Sequence, residues 1–182
     1  MNWLYRKNIG ILAMVFLILF SALTGTHRSL AKLQGKAEAV FTAGEAGDGI
    51  GIQSDLNERL ALAYNMVTIG RKYLPEGDPL LEQVLAARSQ LEAAEGPASK
   101  YEANEAMSLA MKDLYDALKG RSLSSVDAPY PDKLYAEFNS RNDTISHDPY
   151  NKLAVEFNSV LKAFPANVLG RLVFIRPLEL FQ

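Results

Sequence analysis

The sequence has no cysteine, and its two histidines, His27 and His147, lie far apart. The first absence excludes disulfides, thiolate metal sites and cysteine nucleophiles. It fits either side of a membrane and so does not locate the chain. A strong charge of one sign is missing too: 19 basic side chains face 21 acidic ones, a formal net charge of −2. Nucleic-acid binding calls for a basic stripe, which this balance does not supply. No segment alternates with period two over a useful length, and no two apolar runs flank a hairpin turn. The chain therefore reads as all-α. No Ser/His/Asp set, paired-carboxylate arrangement or HExxH motif can be assembled. Catalytic residues, cofactors and metal ligands are accordingly expected to be none, and the protein is expected not to be an enzyme.

What the chain does have is one long uncharged run. No charged side chain occurs from Asn8 to Thr26, and Ile9, Ile11, Leu12, Val15, Phe16, Leu17, Ile18, Leu19 and Phe20 are large apolar side chains of the run. Those nineteen residues, as a helix, rise about 28 Å, close to the ~30 Å hydrocarbon core of a bilayer. Trp3 and Tyr5 come just before, where amphipathic rings favour the interface. Three readings compete: a retained transmembrane anchor, a cleaved signal peptide and a buried core helix. Ser29 and Ala31 are small residues suited to cleavage, but Arg28 stands between them and the run. Both faces of the run are apolar, which argues against a soluble core helix. The retained anchor fits best, with residues 1–28 as tail and span and residues 29–182 as one helical domain. Arg6 and Lys7 precede the run while Arg28, Lys32 and Lys36 follow it, so the positive-inside rule has little bias to act on. The tight placement of Arg6 and Lys7 favours a single-pass protein of the cell membrane, its domain outside the cytoplasm.

Beyond the run, 48% apolar and 22% charged residues give a globular balance. Leu30, Leu33, Ala37 and Val40 share a face and continue the anchor helix. Gly44, Gly47, Gly49 and Gly51 then interrupt it. A second helix is expected from Ser54 or Asp55, with Glu58 completing a capping box on Asp55. Its seam is Leu56, Leu60, Ala63, Val67 and Leu74. Asp78-Pro79 reads as N-cap and first residue of a third helix, striped by Leu80, Val84, Ala87, Leu91 and Ala94. Gly96-Pro97 breaks or kinks it, and Ser99 with Glu102 suggests another capping box. Ala103, Met107, Ala110, Leu114 and Leu118 follow on one face, up to Gly120. A polar loop runs to Pro131. A helix from about Asp132 carries Leu134, Phe138, Arg141 and Ile145 to Pro149, which starts a new helix or kinks a long one. Tyr150, Leu153, Phe157, Val160 and Phe164 then form a strong apolar stripe. Three to five such helices with short loops pack most simply as an antiparallel bundle.

The segment Asp148-Pro149-Tyr150-Asn151-Lys152-Leu153-Ala154-Val155-Glu156-Phe157-Asn158, followed by Phe164-Pro165-Ala166-Asn167, resembles the LemA family. That family's pattern there is a Tyr-Asn pair, a second Asn two turns on, and then Phe-Pro. Ala86-Ala87-Arg88 is similar to its Ala-Arg step. The chain departs from the family near Phe41, where a Trp and an Ile-Asp pair are usual and this sequence is glycine-rich. The resemblance implies a membrane-anchored helical bundle with Tyr150, Asn151, Phe157, Asn158, Phe164, Pro165 and Asn167 as structural motif residues. It implies no reaction.

Other candidate chemistry is weak. Gly47-x-Gly49-x-Gly51 lacks the strand that a phosphate-cradling loop needs, so a flexible loop is expected. Asn142, Asp143, His147 and Asp148 lack any metal-loop spacing, and capping ahead of Pro149 is the simpler role. Asn151 and Asn158 lie on one helix face. They either bond to a neighbouring helix and fix register or bind a polar ligand, and the structural role is preferred. Arg88 either reaches an acid on a facing helix or snorkels to solvent. The apolar tail from Val168 to Phe181 folds back over the bundle end, lies on the membrane surface or meets a partner. The function expected is a non-enzymatic scaffold or protein-interaction module of the bacterial cell envelope. Its partners are the lipid bilayer, an unknown protein and, as a possibility, further copies of itself. A ligand- or metal-binding sensor or enzyme using a groove between helices, and a laterally assembling structural protein, are the alternatives.

Overall fold

A computed structural model of the chain describes the backbone of residues 2–182 and the side chains from Arg6 onward. The interfacial reading of Trp3 and Tyr5 lies outside the described side chains. Among the described residues there are seven helices and no strand: α1 (Asn2–Ala43), α2 (Ile52–Gly70), α3 (Pro79–Ala93), α4 (Pro97–Lys119), α5 (Tyr130–His147), α6 (Tyr150–Lys162) and α7 (Ala166–Leu172). Asp148-Pro149 thus starts a new helix, because Pro149 cannot donate to the α5 ladder. The helices fall into two compact units. One holds residues up to Glu38 with Lys152–Leu178, and the other holds Ala39–Asn151 with Glu179–Gln182.

The larger unit is built on α2 to α5. Asp78 caps α3 by accepting the Leu80 N–H at 3.0 Å, and Pro79 takes the first position, where its missing N–H is harmless. Gly96, at φ 81°, turns the chain into α4. Helix directions follow from paired residues. Gly70 faces Leu81, and the Leu60 carbonyl accepts from Arg88, so α2 and α3 are antiparallel. Asp55 pairs with Arg141 at one end of α2 and Lys72 with Asp127 beyond the other, so α2 and α5 are antiparallel. Tyr115 stacks on Tyr135 while Asn104 meets Asn142, which makes α4 and α5 antiparallel too. The result is an up-down-up-down bundle. Its core buries Leu56, Ala63, Met66, Val67, Val84, Leu91, Met107, Met111, Leu114, Leu118 and Phe138. Each large side chain withdrawn from water contributes about 1.5–3 kcal/mol.

The corner between α1 and α2 is a close backbone approach. A Cβ on Gly51 would stand 2.6 Å from the Val40 carbonyl oxygen and 2.7 Å from that of Phe41. That packing lets α2 begin at Ile52, a turn earlier than expected, and Gly51 is its N-cap without a side-chain bond. The Asp55–Glu58 capping box does not form: Asp55 is buried inside the helix and engages Arg141 at 3.3 Å. The Ser99–Glu102 box fails as well, because the Ser99 hydroxyl donates back to the Glu95 and Gly96 carbonyls.

In the smaller unit α1 is one uninterrupted helix, long and apolar enough to cross a membrane. Ile9, Ile11, Leu12, Val15, Phe16, Leu17, Ile18, Leu19 and Phe20 are all exposed on it. Beyond them Leu30 packs with Phe157 and Leu161, joined by Ala166, Ile175 and Leu178. Leu33, expected on the buried face, is exposed instead. The expected α6 stripe is likewise corrected. Tyr150, Ala154, Phe157 and Leu161 are the buried set, while Val160 is 43% and Phe164 84% exposed. The helix stops at Lys162, so Phe164 has no turn left to carry it inward.

Candidate functional site

Arg59 belongs to the buried face of α2, four residues before Ala63 and three after Leu56. It is 0% exposed. Its guanidinium donates to the side-chain oxygen Oδ1 of Asn142 and, at 2.7 Å, to the Ser108 hydroxyl. The same plane lies 3.9 Å from the centre of the Phe138 ring. Asn104 donates to Asn142 at 3.1 Å, and Ser108 donates to the Asn104 backbone carbonyl at 2.9 Å. Three helices thus meet on one cation. Burial pulls the Arg59 pKa down to about 10, opposed by the charge of Glu105, so the group stays protonated at neutral pH. Among the described residues no carboxylate forms an ion pair with it. Neutral amides, a hydroxyl and an aromatic face share the charge instead, while Arg59 Nε and Asn104 Oδ1 keep no partner. Spacing alone does not single out Arg59 in the sequence, although its place on the Leu56–Ala63 face is a signal of burial.

Asn151 and Asn158 act as two clamps on extended backbone. In the larger unit Asn151 donates to the Phe181 carbonyl at 2.9 Å and accepts the Phe181 N–H at 2.8 Å. Tyr150 beside it donates to the Glu179 carbonyl at 2.7 Å and sets its ring edge-on to Phe41, 4.9 Å between centres. In the smaller unit Asn158 makes the same double bond with Leu178, at 2.8 Å each way. Both amides are filled by the chain itself, and their partners are tail backbone rather than a helix. Phe157 lies in the core beside Leu161. Phe164 is exposed and precedes Pro165, with Asn167 in the first turn of α7.

The remaining candidates disperse. Asn142 is committed to Arg59 and Asn104. His147 Nδ1 sits 2.8 Å from the Asp143 backbone carbonyl, and Asp148 accepts the Tyr150 N–H at 2.8 Å as an N-cap. No group of three His, Cys, Asp or Glu side chains is placed to hold a metal among the described residues. Gly44, Gly47 and Gly49 take positive φ in the α1–α2 loop. Arg88 finds Glu92 on its own helix at 2.6 Å rather than an acid opposite.

Two concavities are lined by several polar side chains. A groove of about 480 Å³ between α2 and α5 is lined by Glu58, Asn65, Thr68, Tyr130, Lys133 and Glu137. A pocket of about 340 Å³ in the smaller unit is lined by Asn158, Leu161, Lys162, Asn167, Arg171 and Ile175. Asn167 Oδ1 is buried without a hydrogen-bond partner.

A comparison with curated proteins and one with solved structures each returned no match. The model of the LemA family matches residues 50–182. The match starts in the glycine loop, immediately before α2, and runs through the Asn151 and Asn158 clamps to the end of the tail. By a match over most of its length, the chain belongs to the LemA family.

Proposed function

We propose that the protein is a single-pass membrane-tethered scaffold, a non-enzymatic protein-interaction module of the bacterial cell envelope with its helical domain outside the cytoplasm. The observation that carries this reading is α1. Its uncharged stretch exposes apolar side chains on every face, and the same helix continues without a break to Leu30, which is buried. A helix bare of partners over about 28 Å gains most when hydrocarbon surrounds it. The polar residues of the domain support the non-enzymatic part. Arg59, Asn142, Asn151 and Asn158 spend their hydrogen bonds on other parts of the chain.

Crosslinking in intact cells, followed by capture from detergent-solubilised membranes, tests the proposal. Specific protein partners are expected in the membrane fraction. Recovery in the soluble fraction, or turnover of a small substrate without any partner, would overturn it. Protease accessibility on intact cells fixes the side on which the domain stands.

A second reading rests on the α2–α5 groove, where Glu58 and Glu137 stand with Lys133 around a space of about 480 Å³. Such a cleft suits a small polar ligand. Titration with candidate ligands, monitored by thermal unfolding, separates the two readings.

A further inference from the structure

The smaller unit has a charge of its own. Beyond the uncharged run it carries seven basic side chains against two acidic ones, although the whole chain has a net charge of −2. Lys162, Arg171 and Arg176 are exposed, and none of them is in an ion pair with an acidic side chain of the described residues. Large apolar side chains are interleaved with them. Phe164 is 84% and Phe174 89% exposed, and Val168 and Leu172 are exposed between them. A helix turn that offers both cations and bare apolar surface suits a lipid interface rather than water.

Its height along α1 is fixed by packing. Leu161 and Gly170 bracket the turn, and both rest on Leu30. Leu30 stands four residues beyond Thr26, about 6 Å along the helix. Phe164 follows Leu161 by three residues and Phe174 follows Gly170 by four. Neither lies more than about 14 Å of chain from that level. The patch therefore lies within about 20 Å of the level at which the uncharged run ends.

We infer that the α6–α7 turn and the start of the tail dock on the membrane surface that the anchor emerges from, with Phe164 and Phe174 in the interface and Lys162, Arg171 and Arg176 on anionic lipid headgroups. The inference rests on the membrane-tethered reading above. The pocket between α6 and α7 supplies a seat for one headgroup. Lys162 and Arg171 flank it as phosphate partners, and the unpartnered Asn167 Oδ1 accepts from a headgroup hydroxyl. A membrane is favoured over a protein partner by continuity with the span and by the sign of the charge.

The test uses the full chain with Trp3→Phe and Phe164→Trp, which leaves one indole at an exposed position. It is reconstituted into vesicles of phosphatidylcholine, or of phosphatidylcholine with an equal share of phosphatidylglycerol, each containing brominated lipid. Flotation reports the anchor and indole quenching reports docking. In anionic vesicles a blue-shifted, quenched indole is expected. Adding Lys162→Gln and Arg171→Gln should lower the ratio of docked to undocked chain roughly thirty-fold. Helical circular dichroism checks that each variant folds. A chain that floats with an unquenched indole overturns the docking and leaves the patch to a protein partner. Equal quenching in neutral vesicles overturns the role given to the cations. A chain that does not float overturns the anchor, and the docking with it.

Discussion

The side-chain amide of Asn158 holds the backbone of Leu178 in both directions, accepting its N–H and donating to its carbonyl at 2.8 Å each. One side chain thereby does what a neighbouring β-strand would do. It satisfies a stretch of tail that has no ladder of its own, and it turns Leu178 toward Leu30 and Phe157. Asn158→Ala removes both bonds and strands two part-buried backbone groups. A loss of about 1–3 kcal/mol is expected. Urea unfolding gives the magnitude, and amide exchange at Leu178 should accelerate markedly. Unchanged exchange there would mean the clamp does not hold the tail.

Arg59 tests a different balance. Arg59→Ala empties a large buried volume, takes one of two donors from the Asn142 side-chain oxygen and removes the donor to Ser108, an expected loss of about 3–5 kcal/mol. Arg59→Met keeps most of the volume and removes the buried charge, so its loss should be less than half as large. Thermal or denaturant unfolding of both variants decides. If Met is as damaging as Ala, the hydrogen bonds outweigh the packing against Phe138.

Asp148 predicts a pH effect of unusual sign. Burial raises its carboxyl above the ordinary value, with Asp55 and Glu45 adding to the shift and the Tyr150 N–H opposing it. The folded chain therefore holds that proton more tightly than the unfolded chain. The stability this gives is fully present below about pH 3.9 and is lost as pH rises through the raised folded value. Asp148→Asn keeps an acceptor for the Tyr150 N–H. It should match the parent in acid and exceed it at neutral pH, as read from urea midpoints at the two values. A variant less stable at neutral pH would refute the sign.

Phe174 adopts φ 59°, the left-handed region, with its ring exposed. It occupies the place where α7 closes, the Ile175 N–H reaching back to the Gly170 carbonyl at 3.0 Å. Glycine is the usual residue there, since a side chain in this conformation costs about 1 kcal/mol. Phe174→Gly should therefore stabilise the fold by roughly that amount in thermal unfolding while weakening attachment to anionic vesicles. A loss of stability would show that the ring packs in a way its exposure denies.

Much of the architecture could be read from spacing. Ala103, Met107, Ala110, Leu114 and Leu118 are all buried, because α4 is flanked by strong breakers and these positions repeat at helical spacing on one face. Asp78-Pro79 marks a helix start in the sequence because both residues act locally. The failures came where a distant partner outbid the local rule. Asp55 looks like a cap, but Arg141, 86 positions away, draws it inside. Val160 and Phe164 fit the period of α6, yet the helix ends before it can use them. For Asn151 and Asn158 the sequence showed a shared face but not the tail backbone that fills them. Arg59 was hidden by its type: a cation on an apolar face reads as surface until its amide and aromatic neighbours are in place.

Backbone pressed on backbone at Gly51 leaves the corner between α1 and α2 without play. A stretch so rich in glycine would ordinarily serve as a swivel. Here its last glycine serves close contact instead, because any wider residue at that point would have to prise the end of α1 and the start of α2 apart.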